Sequence, residues 1–200
     1  MQENDKYKKA IERNLFEITH ALLEYKALAA FDKYRINKHV ATKGENFFTI
    51  SFRALHNDMI AHAIKVLDKN VDSATFWHIF DKDTKTIEEL ENFSQEKLKI
   101  LNDLAEKLKI LRDKTHFHID KNGVLEPDKV WERADIKGKD LGEGLVFLFS
   151  ILNELYRKVF GKEFLFRLED YDEKDLGKLL DIAGSNELIE VVPRVGIPHD

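Results

Sequence analysis

The sequence predicts an all-α protein: an antiparallel four-helix bundle with extra short helices and an extended C-terminal tail. Three observations carry this expectation. The 200 residues include only 9 Gly and 3 Pro, and Pro193 and Pro198 both fall in the tail, so long stretches run without a helix breaker. Apolar residues recur at three- and four-residue spacing through most of the chain. An apolar content of 43% suffices for one substantial core. A five- or six-helix variant fits the same pattern.

The first long helix is expected from about Asp5 to Thr42. Ile11, Leu15, Ile18, Leu22, Tyr25 and Ala29 recur as one buried helical face requires, and Lys43-Gly44-Glu45-Asn46 stops it. A second follows from about Phe47 to Lys69, with Phe48, Phe52, Leu55, Met59 and Val66 in its pattern. Asn70 to Asp83 reads as a connector whose Phe76-Trp77-His78-Ile79-Phe80 run is aromatic enough to pack. Thr86-Ile87-Glu88-Glu89 reads as a capping box opening a short helix. Ser94 caps the third long helix, about Gln95 to Phe117. Asp120-Lys121-Asn122-Gly123 is a turn, and Pro127 starts a short helix through Ala134. The fourth long helix is expected from Asp140 to Phe160, closed by Gly161. Its Val146, Phe147, Phe149, Ile151, Leu152, Leu155, Tyr156 and Val159 predict a central position. Residues 1–160 form the bundle domain in this reading. Residues 161–200 are an appendage packed on it, a short helix from Glu173 to Ala183 and then an extended tail.

Composition narrows the function. With no Cys, disulfides, thiolate metal sites and thiolate nucleophiles are excluded. The N-terminal MQENDKYKKAIERN lacks the apolar core of a signal peptide, and the longest apolar run, near Leu145 to Phe149, is far short of a membrane span. A soluble, cytoplasmic protein with no membrane partner is expected. The net charge of −5 disfavours broad, non-specific nucleic-acid binding. The charge is uneven, however. Lys97 to Lys121 holds seven basic against four acidic residues, and Lys162 to Glu190 four basic against nine acidic. A local basic surface along the third long helix is one consequence, and a solvated helix face is the other.

The chemically richest stretch is RDKTHFHID, Arg112 to Asp120, at the end of that helix. On a heptad, Leu101, Leu108 and Thr115 share one stripe and Leu104, Leu111 and His118 the adjoining one, with Arg112 flanking. The apolar seam thus turns polar in its last two turns. Polar groups at a seam cost on the order of 1–3 kcal/mol unless paired. Either the bundle opens to water there, with Asp113 or Asp120 pairing the Arg or a His, or the stretch is a site. His116 lies at i+4 from Arg112, where side chains can meet. Arg112 and His118 stand about 120° apart on an ideal helix, a gap that a loosened last turn closes. A guanidinium that holds phosphate charge beside an imidazole that moves a proton is what phosphodiester chemistry needs.

LRDKTHFHIDK resembles the R-x(4–6)-H signature of HEPN domains, with Arg112 and His118 separated by five residues. The likeness is to the phage abortive-infection branch, in which an R-D-K-x-x-x-H-x-D run follows a long helix. The stretch from Phe52 to Phe80, a helix leading into the Phe-Trp-His-Ile-Phe cluster, is similar to that branch too. The resemblance covers residues 1–160. It implies a helical bundle that dimerises, with the motifs of both protomers lining one cleft. It also implies a metal-independent ribonuclease of a phage-defence or toxin–antitoxin type that leaves a 2′,3′-cyclic phosphate. By position, Arg112 holds the scissile phosphate and His118 is the general acid or base. Asp113 orients the Arg or holds a His tautomer, and His116 is a second proton carrier. Phe117 stands where look-alikes carry a smaller residue. The implied partners are RNA, an antitoxin or other protein, and a second copy of the chain. No cofactor and no metal are implied. Other members of the family only bind RNA, nucleotides or proteins, which supplies the competing, non-catalytic reading.

A third reading is a metal site on His56, His62 and His118, with Asp58 one turn before His62. No HExxH or paired ExxH motif supports it, and His56 and His62, six apart, do not share a helix face. His20, His39 and His78 read as structural residues, with His78 packing beside Trp77. No P-loop, GxGxxG or Ser/Thr nucleophile motif is present, and Asp135-Ile136-Lys137-Gly138-Lys139 reads as a helix connection.

Overall fold

The computed structural model describes residues 3–37, 45–116, 127–162 and 164; of residues 3–4, 31–37, 45–48, 115–116 and 127–128 it describes the backbone alone. Among the described residues the protein is all-helical, with no strand. The helices are α1 (Glu3–Asn37), α2 (Glu45–Leu67), α3 (Phe76–Lys82), α4 (Thr84–Glu88), α5 (Gln95–Leu111), α6 (Pro127–Ala134) and α7 (Gly138–Phe160), and a π-helical turn spans Arg112–His116 directly after α5. None is long and apolar enough to cross a membrane. The four long helices pack in a closed cycle: α1 lies on α2 and α7, and α5 on α2 and α7. The expected appendage beyond residue 164, its 173–183 helix and residues 43–44 of the expected stop lie outside the described residues, while Glu45 and Asn46, read as part of that stop, instead open α2.

Ile11, Leu15, Ile18 and Leu22 of α1 are all buried, as their spacing predicts. Ala29, expected next on the same face, is exposed, and Ala27, Leu28 and Ala30 are buried instead. Ala29, eighteen residues after Ile11, completes five turns and lies at the same angle on a 3.6-residue helix, so its exposure is not a drift of the stripe. In α2 the core positions are Met59, Ile60, Ala63, Ile64, Val66 and Leu67, while Phe52 and Leu55 are only half-buried.

The stretch after α2 is more ordered than a connector. Phe76 and Ile79, one turn apart, are both fully buried and pull α3 out of it. His78 therefore points outward and is exposed, not packed. Trp77 Nε1 donates to the Leu67 carbonyl (2.9 Å), satisfying one of the orphan acceptors at the end of α2. Asn14 on α1 donates from Nδ2 to the carbonyls of Ala10 (2.8 Å) and Ala74 (2.6 Å), tying this segment to the first helix. The expected capping box is also corrected. Helix α4 starts at Thr84 with Asp83 in the cap position, three residues before Thr86, because α3 breaks only at Asp83, whose φ of −141° leaves the helical region. Thr84 Oγ1 donates back to the Phe80 carbonyl (2.7 Å), so Thr86 lies inside the helix, not at its cap.

Ser94 does cap α5, accepting from the Lys97 N–H, and Leu101, Leu104, Ala105, Leu108 and Leu111 are buried as the heptad predicts. Helix α6 spans its expected range and ends on Asp135, which has positive φ (45°). Helix α7 is central: Leu145, Leu148, Ile151, Leu152 and Leu155 have no exposed surface. Val146, expected in this core, is exposed instead, because it follows Leu145 by 100° and faces away. At Gly142 a Cβ would collide with the Tyr25 ring of α1, so this glycine is what lets α1 and α7 approach. Gly161 closes α7 in the left-handed conformation, φ 66°.

The α4–α5 turn is held to α7 by one carboxylate. Glu154 accepts from the N–H groups of Glu91 (2.8 Å) and Asn92 (3.1 Å) and from Asn92 Nδ2 (2.9 Å). Burial opposes its charge, but these donors outweigh it and hold the pKa below the usual carboxylate range. A depressed folded-state pKa contributes stability above the unfolded value, about 4.3, that is lost as pH falls through the folded value. Glu154→Gln should therefore lower stability at pH 7, by about 1 kcal/mol on the scale of one such hydrogen-bonded group. It should also flatten the acid limb of a urea-denaturation series between pH 5 and 3 relative to wild type.

Candidate functional site

Two polar centres interrupt the apolar seams. The first is at the end of α5. Arg112 and Asp113 open the π-helical turn, a local widening of the helix often found at functional positions. The part-buried guanidinium is fully engaged. Nε and Nη2 each donate to Asp113 Oδ1 (both 2.8 Å), and Nη1 pairs with Asp68 Oδ1 just past the end of α2. Asp68 also accepts from the Asn70 N–H (3.2 Å), and Asn70 Oδ1 from Asp72, so the loop that presents Asp68 is built by its own side chains. Lys69 reinforces the same junction, donating to Asn102 (2.5 Å) and Glu106 (2.8 Å) on α5.

Asp113 thus pairs with its sequence neighbour Arg112. The backbone of His116 belongs to the π turn, while its side chain, His118 and Asp120 lie outside the described residues. The partner that sequence reasoning missed is Asp68. It is 44 residues from Arg112, and no local pattern marks it.

The second centre lies between α1 and α2 and was not foreseen as a unit. Glu17, His20 and Glu24 project from one face of α1, and Asp58, His62 and Lys65 from the facing side of α2. Glu17, only 3% exposed, accepts from His62 Nδ1 (2.5 Å) and Lys65 Nζ (3.1 Å), and Arg13 caps its other oxygen. Burial alone would raise the Glu17 pKa, but the His62 and Lys65 hydrogen bonds and the two cations hold it below the ordinary range. On the other side of the imidazole, His62 Nε2 faces Glu24 Oε1 (3.8 Å) and Asp58 Oδ1 (3.7 Å). His20 stacks on His62 with centroids 5.2 Å apart. Glu24 is 9% exposed, and its Oε2 is buried without a hydrogen-bond partner. Burial, and then the neighbouring Asp58 carboxylate, push the Glu24 pKa up to about 8.

Of the sequence-level metal candidates, His62 and Asp58 do come together, but with residues of α1. His56 is turned elsewhere, against the Trp131 ring (5.0 Å) of α6, and burial there lowers its pKa. His20, read as structural, belongs to the cluster. The missed signal is Glu17-x-x-His20-x-x-x-Glu24, three ionisable groups at i, i+3 and i+7 on an otherwise apolar helix face.

A third feature is a half-open groove of about 760 Å³ where α7 meets α5 and α1, lined by Tyr25, Lys97, Ile100, Gly142 and Phe147. It contains neither polar centre. Compared with protein-family models, with curated proteins and with solved structures, the chain matches none.

The α1–α2 centre generates a graded expectation. Glu17→Ala leaves His62 and Lys65 facing a buried gap and should destabilise by about 2 kcal/mol, within the range for orphaning buried polar partners. Lys65→Ala removes a half-exposed partner and should cost about 0.5 kcal/mol. Chemical denaturation of the two variants beside wild type checks the order.

Proposed function

We propose that the chain is a metal-independent endoribonuclease of a phage-defence or toxin–antitoxin type, built on a HEPN-like antiparallel four-helix bundle, with its chemistry at Arg112 and His118. The observation that carries this reading is the position of Arg112. It stands at the α-to-π transition of α5, part-buried and oriented by two carboxylates, at the one place where that helix's apolar seam becomes polar. An Arg held in place loses little side-chain freedom when it meets a phosphate, and its planar fork suits two phosphate oxygens.

In this mechanism His118 takes the proton of the ribose 2′-hydroxyl. The 2′-oxygen attacks phosphorus, the bond to the 5′-oxygen breaks, and a 2′,3′-cyclic phosphate remains. The departing 5′-oxygen takes up a proton, for which His116 is the candidate donor. Arg112 stabilises the charge on the non-bridging oxygens. Because Asp68 already occupies Nη1, the phosphate displaces that carboxylate on binding, while Asp113 keeps the Nε edge fixed. Two copies of the chain bring two such motifs into one cleft. RNA is the substrate, and an antitoxin is the protein partner that the family resemblance implies.

A second reading has its own support. The Arg112 charge is balanced twice over by Asp68 and Asp113, which suits a non-catalytic HEPN-like module that binds a partner protein, RNA or nucleotide through another surface. One experiment separates the two. Purified protein, checked as a dimer by light scattering, is incubated with total RNA in EDTA beside Arg112→Ala and His118→Ala variants whose helicity is confirmed by circular dichroism. The nuclease reading expects cleavage by wild type and a loss of 100-fold or more in each variant, the scale of removing a charge-stabilising or proton-transferring group. No cleavage by folded wild type transfers the conclusion to the binding module.

A further inference from the structure

We infer that His20, Glu24, Asp58 and His62 form a binding site for a divalent transition metal of the Zn²⁺ type between α1 and α2, with Glu17 as its positioning residue. The donor set is two imidazoles and two carboxylates, the chemistry that suits Zn²⁺ and its first-row neighbours and not Mg²⁺ or Ca²⁺. One ligand atom each from His20, Glu24 and His62 lie within 4.8 Å of one another. Tetrahedral Zn²⁺ with bonds of 2.0–2.2 Å sets ligand atoms about 3.4 Å apart. His62 Nε2 already stands 3.8 Å from Glu24 Oε1 and 3.7 Å from Asp58 Oδ1. These are too long for hydrogen bonds and close to the edges of a coordination tetrahedron.

Two further observations point to a ligand and not to a self-contained ion-pair network. Glu24 is buried with Oε2 unpartnered, on the side of α1 that faces His62. And His62 is oriented from behind as metal-binding imidazoles are: Nδ1 meets the Glu17 carboxylate at 2.5 Å, which leaves Nε2 as the lone-pair nitrogen facing the cluster. Glu17 is itself fixed by Lys65 and Arg13, so these two cations are spent on the outer carboxylate and not on the inner ones. Two neutral imidazoles and two carboxylates balance a 2+ ion, the Glu24 carboxyl giving up its proton as the ion binds. Asp58, largely exposed, gives the ion a route in from solvent. The ligands come from α1 and α2 alone, so the site stands independently of the phosphodiester reading, which uses the end of α5.

The test is titration of the full chain, free of affinity tags, with Zn²⁺ by calorimetry and with Co²⁺ by visible absorption, where four-coordinate Co²⁺ absorbs strongly. The expected result is one ion per chain, intense Co²⁺ bands displaced by Zn²⁺, and a melting temperature that rises with Zn²⁺ but not with Mg²⁺. His20→Ala and the near-isosteric Glu24→Gln should each lose the Co²⁺ bands while circular dichroism stays helical. Glu17→Gln should weaken Zn²⁺ binding by about 10- to 100-fold, as loss of an orienting carboxylate does elsewhere. Arg112→Ala should leave binding unchanged. Zn²⁺ affinity in folded His20→Ala or Glu24→Gln equal to wild type overturns the inference, and so does a loss of binding on His118→Ala in their place.

Discussion

The buried contact between Glu17 and His62 is the constraint on which the arrangement of the helices rests. Apolar side chains on two long helices can slide past one another by a turn at modest cost. A buried carboxylate cannot, because every other register takes away its donors on the facing helix. Arg13 serves one oxygen of Glu17 from α1 itself, and the other oxygen has its donors only where His62 and Lys65 of α2 stand level with it. Once α1 and α2 are in register, the rest follows along the chain. Asn14 reaches Ala74 and Tyr7 reaches Asp83, so the segment after α2 lies against the first helix. The end of α2 then delivers Asp68 to Arg112 and Lys69 to Glu106, which fixes α5.

The helices were legible because burial imposes a period. In α5, Leu101, Leu104, Leu108 and Leu111 both announce the helix and fill the core. Where the period is weak, the reading went astray. Phe76 and Ile79 hold α3 in place with only one helical repeat, too short to distinguish from a packed loop. Ala29 keeps the angular position of Ile11 five turns further along α1 and is exposed all the same. The polar centres were half legible. Arg112 and Asp113 are neighbours in sequence, so their pairing could be read locally. Asp68 and the Glu17–His62 contact join positions 44 and 45 residues apart, and only a register between helices reveals them. Polar residues at core spacing on an apolar face, such as Glu17 and Glu24, were the available hint, because burial without a partner is costly.

The two polar centres divide the work by chemistry. The one at Arg112 is a guanidinium held by the carboxylates of Asp68 and Asp113. The one at His62 sets two imidazoles beside the carboxyl groups of Glu17, Glu24 and Asp58. Neither overlaps the groove between α5 and α7, whose Lys97 and aromatic lining leave room for a third contact surface. On the proposed reading, a protein of net charge −5 that meets RNA needs its basic groups placed, not merely numerous. Arg112 is placed in this sense, held from two helices.

The account's central claim is that Glu17 and His62 act as one unit across α1 and α2. A double-mutant cycle with Glu17→Ala, His62→Ala and the double variant, read as unfolding free energies in urea, tests it most directly. The account predicts that the single losses are not additive, with a coupling of about 1–3 kcal/mol, as for contacting residues in one buried network. Additivity within about 0.3 kcal/mol would contradict it, and would mean that the apolar stripes alone set the register of the helices.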